Sequence, residues 1–195
     1  MVNIFNETFT DVFNKDSAVP RPEPVRFDNE ASISSVRFTP ELVKKKLENL
    51  RASSAPGPDN IHPRFLKECA NELALPLSLI FEKSMDERTV PDDWKSTNVS
   101  PIFKKGEKCR AGNYRPINLA SVPSKIMESI IKDAILDHLK ANNYLVNSQH
   151  GFVPGRSVTT NLIEYLNVIT AAIDDGVPYD AIMIDCCLST TLKHQ

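Results

Sequence analysis

The chain has 195 residues, 41% hydrophobic and 25% charged, a balance that suits one ordinary globular domain with or without a tail. Its 23 Lys and Arg against 25 Asp and Glu leave a net charge of −2, which excludes a histone-like or acidic-tail polyelectrolyte. No apolar run reaches the ~18 residues of a membrane helix, and Cys69, Cys109, Cys186 and Cys187 lack CxxC spacing, so membrane, zinc-module and disulfide-scaffold readings fall away in favour of a reducing, intracellular setting in nucleus or cytoplasm.

Met1–Glu7 lacks the basic-then-apolar order of a signal peptide. Phe5, Phe9 and Phe13 recur at helical spacing, which predicts a short amphipathic helix. Pro20, Pro22 and Pro24 then forbid helix or central strand, and Ser17–Phe38 reads as a linker or as a long surface loop. At Thr39 an N-cap, Pro40 at the first helical position and Glu41 open a helix carrying Val43, Leu47 and Leu50. Pro56-Gly57-Pro58 marks a turn. Pro63–Leu73 and Pro76–Glu87 read as two proline-initiated helices forming a hairpin. The period then changes: Val99, Pro101 and Phe103 alternate as an edge strand ending in a basic turn, and Asn113–Leu119 is a second extended piece. Ser124–Asn142 predicts a helix capped by Ser124, with Met127, Ile130, Ile131, Ala134, Ile135 and Leu139 as its stripe. A second, Ser157–Asp175, carries Leu162, Ile163, Leu166, Ile169 and Ile173 and closes at Gly176. Tyr179–Asp185 reads as a buried strand that delivers a carboxylate to a sheet edge.

Five blocks in this order resemble the reverse transcriptases of non-LTR (LINE-type, jockey-like) retrotransposons. Ser54-Ala55-Pro56-Gly57-Pro58-Asp59-Asn60-Ile61 is similar to their S-x-G-P-D-x-I opening. Pro91-Asp92-Asp93-Trp94-Lys95 with Val99–Gly106 resembles P-x-x-W-K…V-x-P-I-x-K-K-G, and Asn113-Tyr114-Arg115-Pro116-Ile117 with Ser121 and Lys125 resembles N-Y-R-P-I-x-L…S-x-x-x-K. Gln149-His150-Gly151-Phe152 with Gly155-Arg156-Ser157 is similar to Q-x-G-F-x-x-G-R-S, and Ile182-Met183-Ile184-Asp185 sits where the family places motif A. The resemblance implies an α+β fold: a mainly helical fingers subdomain with a small antiparallel hairpin, then the first strand of an incomplete palm. The implied divisions are 1–38 as N-terminal extension or linker, 39–178 as fingers and fingers–palm helices, and 179–195 as first palm strand and aberrant tail.

Nucleotidyl transfer needs two divalent metals about 4 Å apart, held by carboxylates. The resemblance makes Asp185 the catalytic Mg²⁺ ligand; the residues by themselves also allow a turn or N-cap Asp. Residues 95–115 carry Lys95, Lys104, Lys105, Lys108, Arg110 and Arg115 against Glu107 alone, net +5, which reads as a phosphate-facing surface. By motif, Lys104 and Arg115 match the family's dNTP-clasping cations, with Lys105 as the alternative lysine; Lys108 and Arg110 read as scattered surface charge. Gln149, Gly151, Phe152, Gly155 and Arg156 match the stretch that lies along the template, though a plain helix-entry turn capped by Ser157 reads equally well. Trp94 and Phe152 could stack bases, but each lone aromatic reads as core more readily, and the four His form no metal spacing.

After Asp185 the family pattern D-F-S-K-A-F-D-x-V gives way to Cys186-Cys187-Leu188-Ser189-Thr190-Thr191-Leu192. The run from Leu188 can be encoded so that a shift of two bases restores Phe-Asp-Asn-Val, which predicts a frameshift or a wrong gene boundary near residue 186. The expectation is therefore a fragment of an RNA-directed DNA polymerase, with RNA template, DNA primer and dNTP as the family's partners, inactive alone because later palm motifs are missing. The alternative is a non-catalytic nucleic-acid-binding or protein-interaction remnant. Nothing in the residues fixes an oligomeric state.

Overall fold

The computed structural model describes residues 2–11, 32–33 and 35–182. The chain forms two compact units, Met1–Leu136 and Asp137–Gln195. The first is mixed: α1 (Val2–Thr10), α2 (Pro40–Glu48), α3 (Pro63–Glu68), α4 (Ala70–Asp86), a two-stranded antiparallel sheet of β1 (Asn98–Phe103) and β2 (Tyr114–Leu119), and the start of α5 (Val122–Ala141). The second holds α6 (Val158–Asp174) and the loop that leads into it. An α+β composition is thus present.

Local chemistry explains most element ends. Thr39 Oγ1 accepts from the Leu42 N–H, and Pro40 occupies the first turn, where no donor is needed. Val43 and Leu47, one turn apart, are fully buried against α4. Phe38 is 1% exposed, so the segment read as a linker ends in the core. Its ring meets Phe81 edge-on at 5.6 Å, Phe81 meets Trp94 at 5.7 Å, and the Phe38 N–H donates to Glu82 Oε1 at 2.8 Å. Burying each of these aromatic side chains contributes on the order of 1.5–3 kcal/mol. Trp94 is accordingly a core-packing residue.

The expected helix pair broken at Pro76 is not what forms. The break lies at Cys69, which ends α3 and begins α4 at φ −95°, ψ 24°, and Pro76 sits inside α4. Pro76 is exposed, so the Glu72 carbonyl that loses its donor faces water, while the Ser78 hydroxyl donates to the Leu75 carbonyl at 2.8 Å. Burial of Ala74, Leu77 and Phe81 along one face holds the helix through the proline.

The cap of α5 also differs from expectation. Ser121, fully buried, accepts the Ser124 N–H on its hydroxyl and the Lys125 N–H on its carbonyl; Ser124 lies within the helix and donates to Glu128 Oε1. Val122, Ile126, Met127 and Ile130 carry the buried stripe, whereas Ile135 is exposed. Gly57 packs flush on this junction: a Cβ there would lie 2.6 Å from Ser121 Cα and N. In the second unit Ser157 and Thr160 form a reciprocal capping box at the start of α6, and Gly176, at φ +63°, follows its C-cap. Its apolar residues, Leu162, Ile163 and Leu166 among them, remain about half exposed. Tyr179–Ile182 take no regular conformation, and the remainder of the expected strand, with Asp185, lies outside the described residues.

Candidate nucleic-acid interface

The hairpin separates its side chains by face. Asn98 pairs with Leu119, Ser100 with Ile117 and Ile102 with Arg115, and the ladder continues to Lys104, whose N–H donates to the Asn113 carbonyl at 2.8 Å. Cross-strand partners share a face, so Lys104 and Arg115 are diagonal neighbours on one side, a spacing of about 7–8 Å. Phe103 and Tyr114 lie on the other, 5.4 Å apart, with Phe5 of α1 against Tyr114 at 4.8 Å. Phe5 thus covers the loop end of that face, whose Val99, Pro101 and Pro116 stay exposed; the opposite face presents Lys104 and Arg115 beside Ile102 and Ile117, all exposed. Lys105 falls one residue past the ladder and does not share this placement.

The six cations of residues 95–115 are not equivalent. Lys95 pairs with Asp92 at 2.6 Å, and the hydrogen bond it donates holds that carboxyl below its ordinary range. Arg110 pairs with Glu107 at 2.7 Å, and Lys108 Nζ stands 5.8 Å over the Phe103 ring. Lys104, Lys105 and Arg115 have no ion-pair partner among the described residues. The loop that carries them is built by residues without charge: Gly106 at φ +88°, Asn113 Nδ2 donating to the Glu107 carbonyl at 2.8 Å, and Tyr114 Oη donating to the Lys108 carbonyl at 2.9 Å. In the Asn113-Tyr114-Arg115-Pro116 motif, the first two residues thus fix the loop and the third is displayed. That division of labour leaves no mark in spacing or composition.

In the second unit, the loop from Asn147 to Ser157 is closed by its own side chains. Arg156 Nη1 donates to the Asn147 carbonyl and, at 2.9 Å, to the Gln149 carbonyl; Gln149 Nε2 donates to the Gly151 carbonyl at 3.0 Å. Part of the Arg156 guanidinium is therefore committed to the loop, while Nε and Nη2 have no partner among the described residues. Gly155 requires its φ of +81°, and space is open around it; around Gly151 only the Gln149 amide is near. Phe152 stands fully in solvent at φ +61°. His150 carries no signal of its own in composition or spacing, yet its side chain is nearly enclosed where the loop meets α6. It is 8% exposed, with Nδ1 2.9 Å from Thr160 Oγ1 and Nε2 2.5 Å from Glu164 Oε2.

Asp185 lies outside the described residues, and among those described no group of three or more His, Cys, Asp or Glu side chains is placed to hold a metal ion. Nor, among them, is any helix long and apolar enough to cross a membrane.

Comparison with known proteins returns mobile-element polymerases. Over 146 residues the chain is 29% identical to a Drosophila melanogaster protein described as a probable RNA-directed DNA polymerase from transposon BS, covering 74% of this chain and 16% of that protein. Over 149 residues it is 28% identical to the probable RNA-directed DNA polymerase from transposon X-element of the same species, covering 76% and 16%. Over 124 residues it is 29% identical to the RNA-directed DNA polymerase from mobile element jockey, covering 63% and 14%. No protein-family profile matches. The chain thus spans about one-sixth of the length of the curated relatives it matches. Motif order and relatives agree: over most of its length this chain is similar to a segment of the RNA-directed DNA polymerases of jockey-like, non-LTR transposons.

Proposed function

We propose that residues 39–178 are the fingers portion of an RNA-directed DNA polymerase that takes an RNA template and a DNA primer, with the hairpin taking phosphate and the Gln149–Arg156 loop lying along the template strand. The observation that carries this reading is the placement of Lys104 and Arg115: two cations without acidic partners among the described residues, diagonal on one exposed face of the hairpin. Two such side chains about 7–8 Å apart match the spread of a triphosphate or of successive strand phosphates. Arg offers a planar fork and Lys a point charge. Lys105 is the less favoured lysine because it leaves the ladder.

A two-metal centre needs several carboxylates converging on one point. Asp185 supplies a single one, and no cluster among the described residues completes such a site for Mg²⁺. We therefore propose that a polypeptide of these 195 residues binds nucleic acid but does not itself extend a primer; extension in the presence of Mg²⁺ and dNTPs would overturn that. Binding is tested by the affinity of single-stranded RNA across a salt titration from low to moderate ionic strength. Each phosphate contact on a single strand contributes about −0.7 to the slope of log K against log salt. Lys104→Ala and Arg115→Ala are each expected to flatten the slope by about that amount. An unchanged slope in both would remove the hairpin from the interface.

A further inference from the structure

We propose that Phe152 is a stacking platform for an unpaired base and that His150 is the positioning residue that holds it out. This rests on the nucleic-acid reading above and names what the second surface recognises: single-stranded rather than duplex strand. Phe152 is 101% exposed, the extreme among the large apolar side chains described. A full aromatic ring in water forfeits burial, and its φ of +61° is a region that bulky side chains avoid. Asn60 and Asn143 also adopt positive φ, which asparagine tolerates, and Arg88 does so at φ +53°; of these four only Phe152 exposes a large apolar ring.

The surroundings fix this posture from two sides. Arg156 ties the carbonyls of Asn147 and Gln149 on one flank. On the other, the His150 ring bridges Thr160 and Glu164, which are one turn apart on a single face of α6. Thr160 Oγ1 already accepts the Ser157 N–H and donates to the Ser157 carbonyl, each at 2.9 Å, so the bridge docks the loop on the capping box that starts the helix. A ring that is 8% exposed, two residues from one that is wholly exposed, makes a rigid stem beneath a free platform. Every base has a π face, so stacking on Phe152 is tolerant of sequence and demands only that the base be unpaired.

The test uses the 195-residue chain with a single-stranded RNA carrying one 2-aminopurine, the same strand as a duplex, and the matching single-stranded DNA. Single strands of either sugar are expected to bind more tightly than the duplex and to show stacking-dependent fluorescence change. Phe152→Ala should weaken single-strand binding by about 5- to 150-fold without altering the salt slope, because no charge is removed. Phe152→Trp should bind no more weakly than the parent. If His150 acts through Phe152, His150→Ala weakens binding, yet the His150→Ala/Phe152→Ala double variant is no weaker than Phe152→Ala alone. Should His150→Ala lose its helical circular dichroism, Glu164→Gln supplies the same cycle with the hydrogen-bonding shape kept. Phe152→Ala within about twofold of the parent, while Lys104→Ala and Arg115→Ala still flatten the slope, refutes the platform and leaves the nucleic-acid reading standing. Additive losses in the cycle refute the role of His150. No measurable binding by the parent chain refutes both.

Discussion

Gly57→Ala measures whether the Pro56-Gly57-Pro58 turn braces the junction between β2 and α5. The added Cβ would stand 2.6 Å from Ser121 Cα and N and 2.7 Å from the Ala120 carbonyl carbon. Every one of these neighbours is backbone, so nothing can rotate away; relief to an ordinary contact requires the turn and the helix start to part by about 1 Å. Overpacking of this kind costs about 1–3 kcal/mol. Displacing Ser121 also weakens its cap on Ser124, worth on the order of 1 kcal/mol. Against this, alanine narrows the unfolded ensemble by about 0.4–1 kcal/mol. The net expectation is a loss of about 1–3.5 kcal/mol, or roughly 2–14 °C in Tm for a chain of this size. Trp94, the single tryptophan, packs on Phe81 in the same unit and reports unfolding by its fluorescence in urea. The control is Gly112→Ala, where no atom lies within 4 Å of the new methyl and φ is not positive. It should be neutral or slightly stabilising. Equal midpoints for the two variants would refute the brace.

Pro76→Ala restores the donor missing from the middle of α4 and should raise stability by about 1–2 kcal/mol, read as a higher Tm; no rise would mean that the Glu72 carbonyl is already satisfied. Asp133 is held below its ordinary value chiefly by the hydrogen bond from Lys46 at 2.5 Å, working against desolvation. A depressed folded value means that the unfolded chain takes up the proton first. The stabilisation is therefore present above the ordinary value of 3.8 and lost as pH falls through the lower folded value. With Asp133 half exposed, Asp133→Asn should cost no more than about 1 kcal/mol near neutrality, and its difference from the parent in urea midpoint should shrink as the pH is lowered from about 5 to about 3.

What was legible in the sequence was local. Thr39-Pro40-Glu41 and Ser157-Val158-Thr159-Thr160 carry their own hydrogen-bond partners within one turn, so both helix starts fall where capping chemistry puts them. The switch to alternation near Val99 likewise marked β1, since a strand's period needs no tertiary information. Elsewhere a distant contact decided. Pro76 reads as a helix start by its intrinsic cost, but the apolar face of α4 against α2 and Phe38 outweighs one lost surface hydrogen bond. Ser124 and Ser121 are equally plausible caps by residue type; the choice goes to Ser121, on whose backbone Gly57 is packed. Lys104 and Arg115 stood out as charge in a motif, but their common face follows from register, which pairs residues eleven or more apart. His150 gave no signal, because its partners are ten and fourteen residues downstream and become neighbours through the turn of α6.

The hairpin's prolines decide how it can be used. The Lys104–Asn113 hydrogen bond sets the alternation of the ladder, making Ile102–Arg115 and Ser100–Ile117 the hydrogen-bonded pairs and Pro101–Pro116 a pair whose backbone nitrogens face outward. Neither strand can spare an inward donor, and both prolines sit where none is asked of them. The consequence falls on the free edges: the middle outward position of β1 and of β2 lacks an N–H, so a third strand added on either side would find its central donor missing. A ligand that engages this hairpin is thereby directed away from backbone pairing and onto the side chains of a face. One face is covered at its loop end by Phe5 of α1 against Tyr114, and the other carries Lys104, Arg115, Ile102 and Ile117. Cations flanking exposed branched apolar residues suit a phosphate chain with sugars or bases beside it better than they suit a peptide strand, and the salt dependence of Lys104→Ala and Arg115→Ala is the direct reading of that choice.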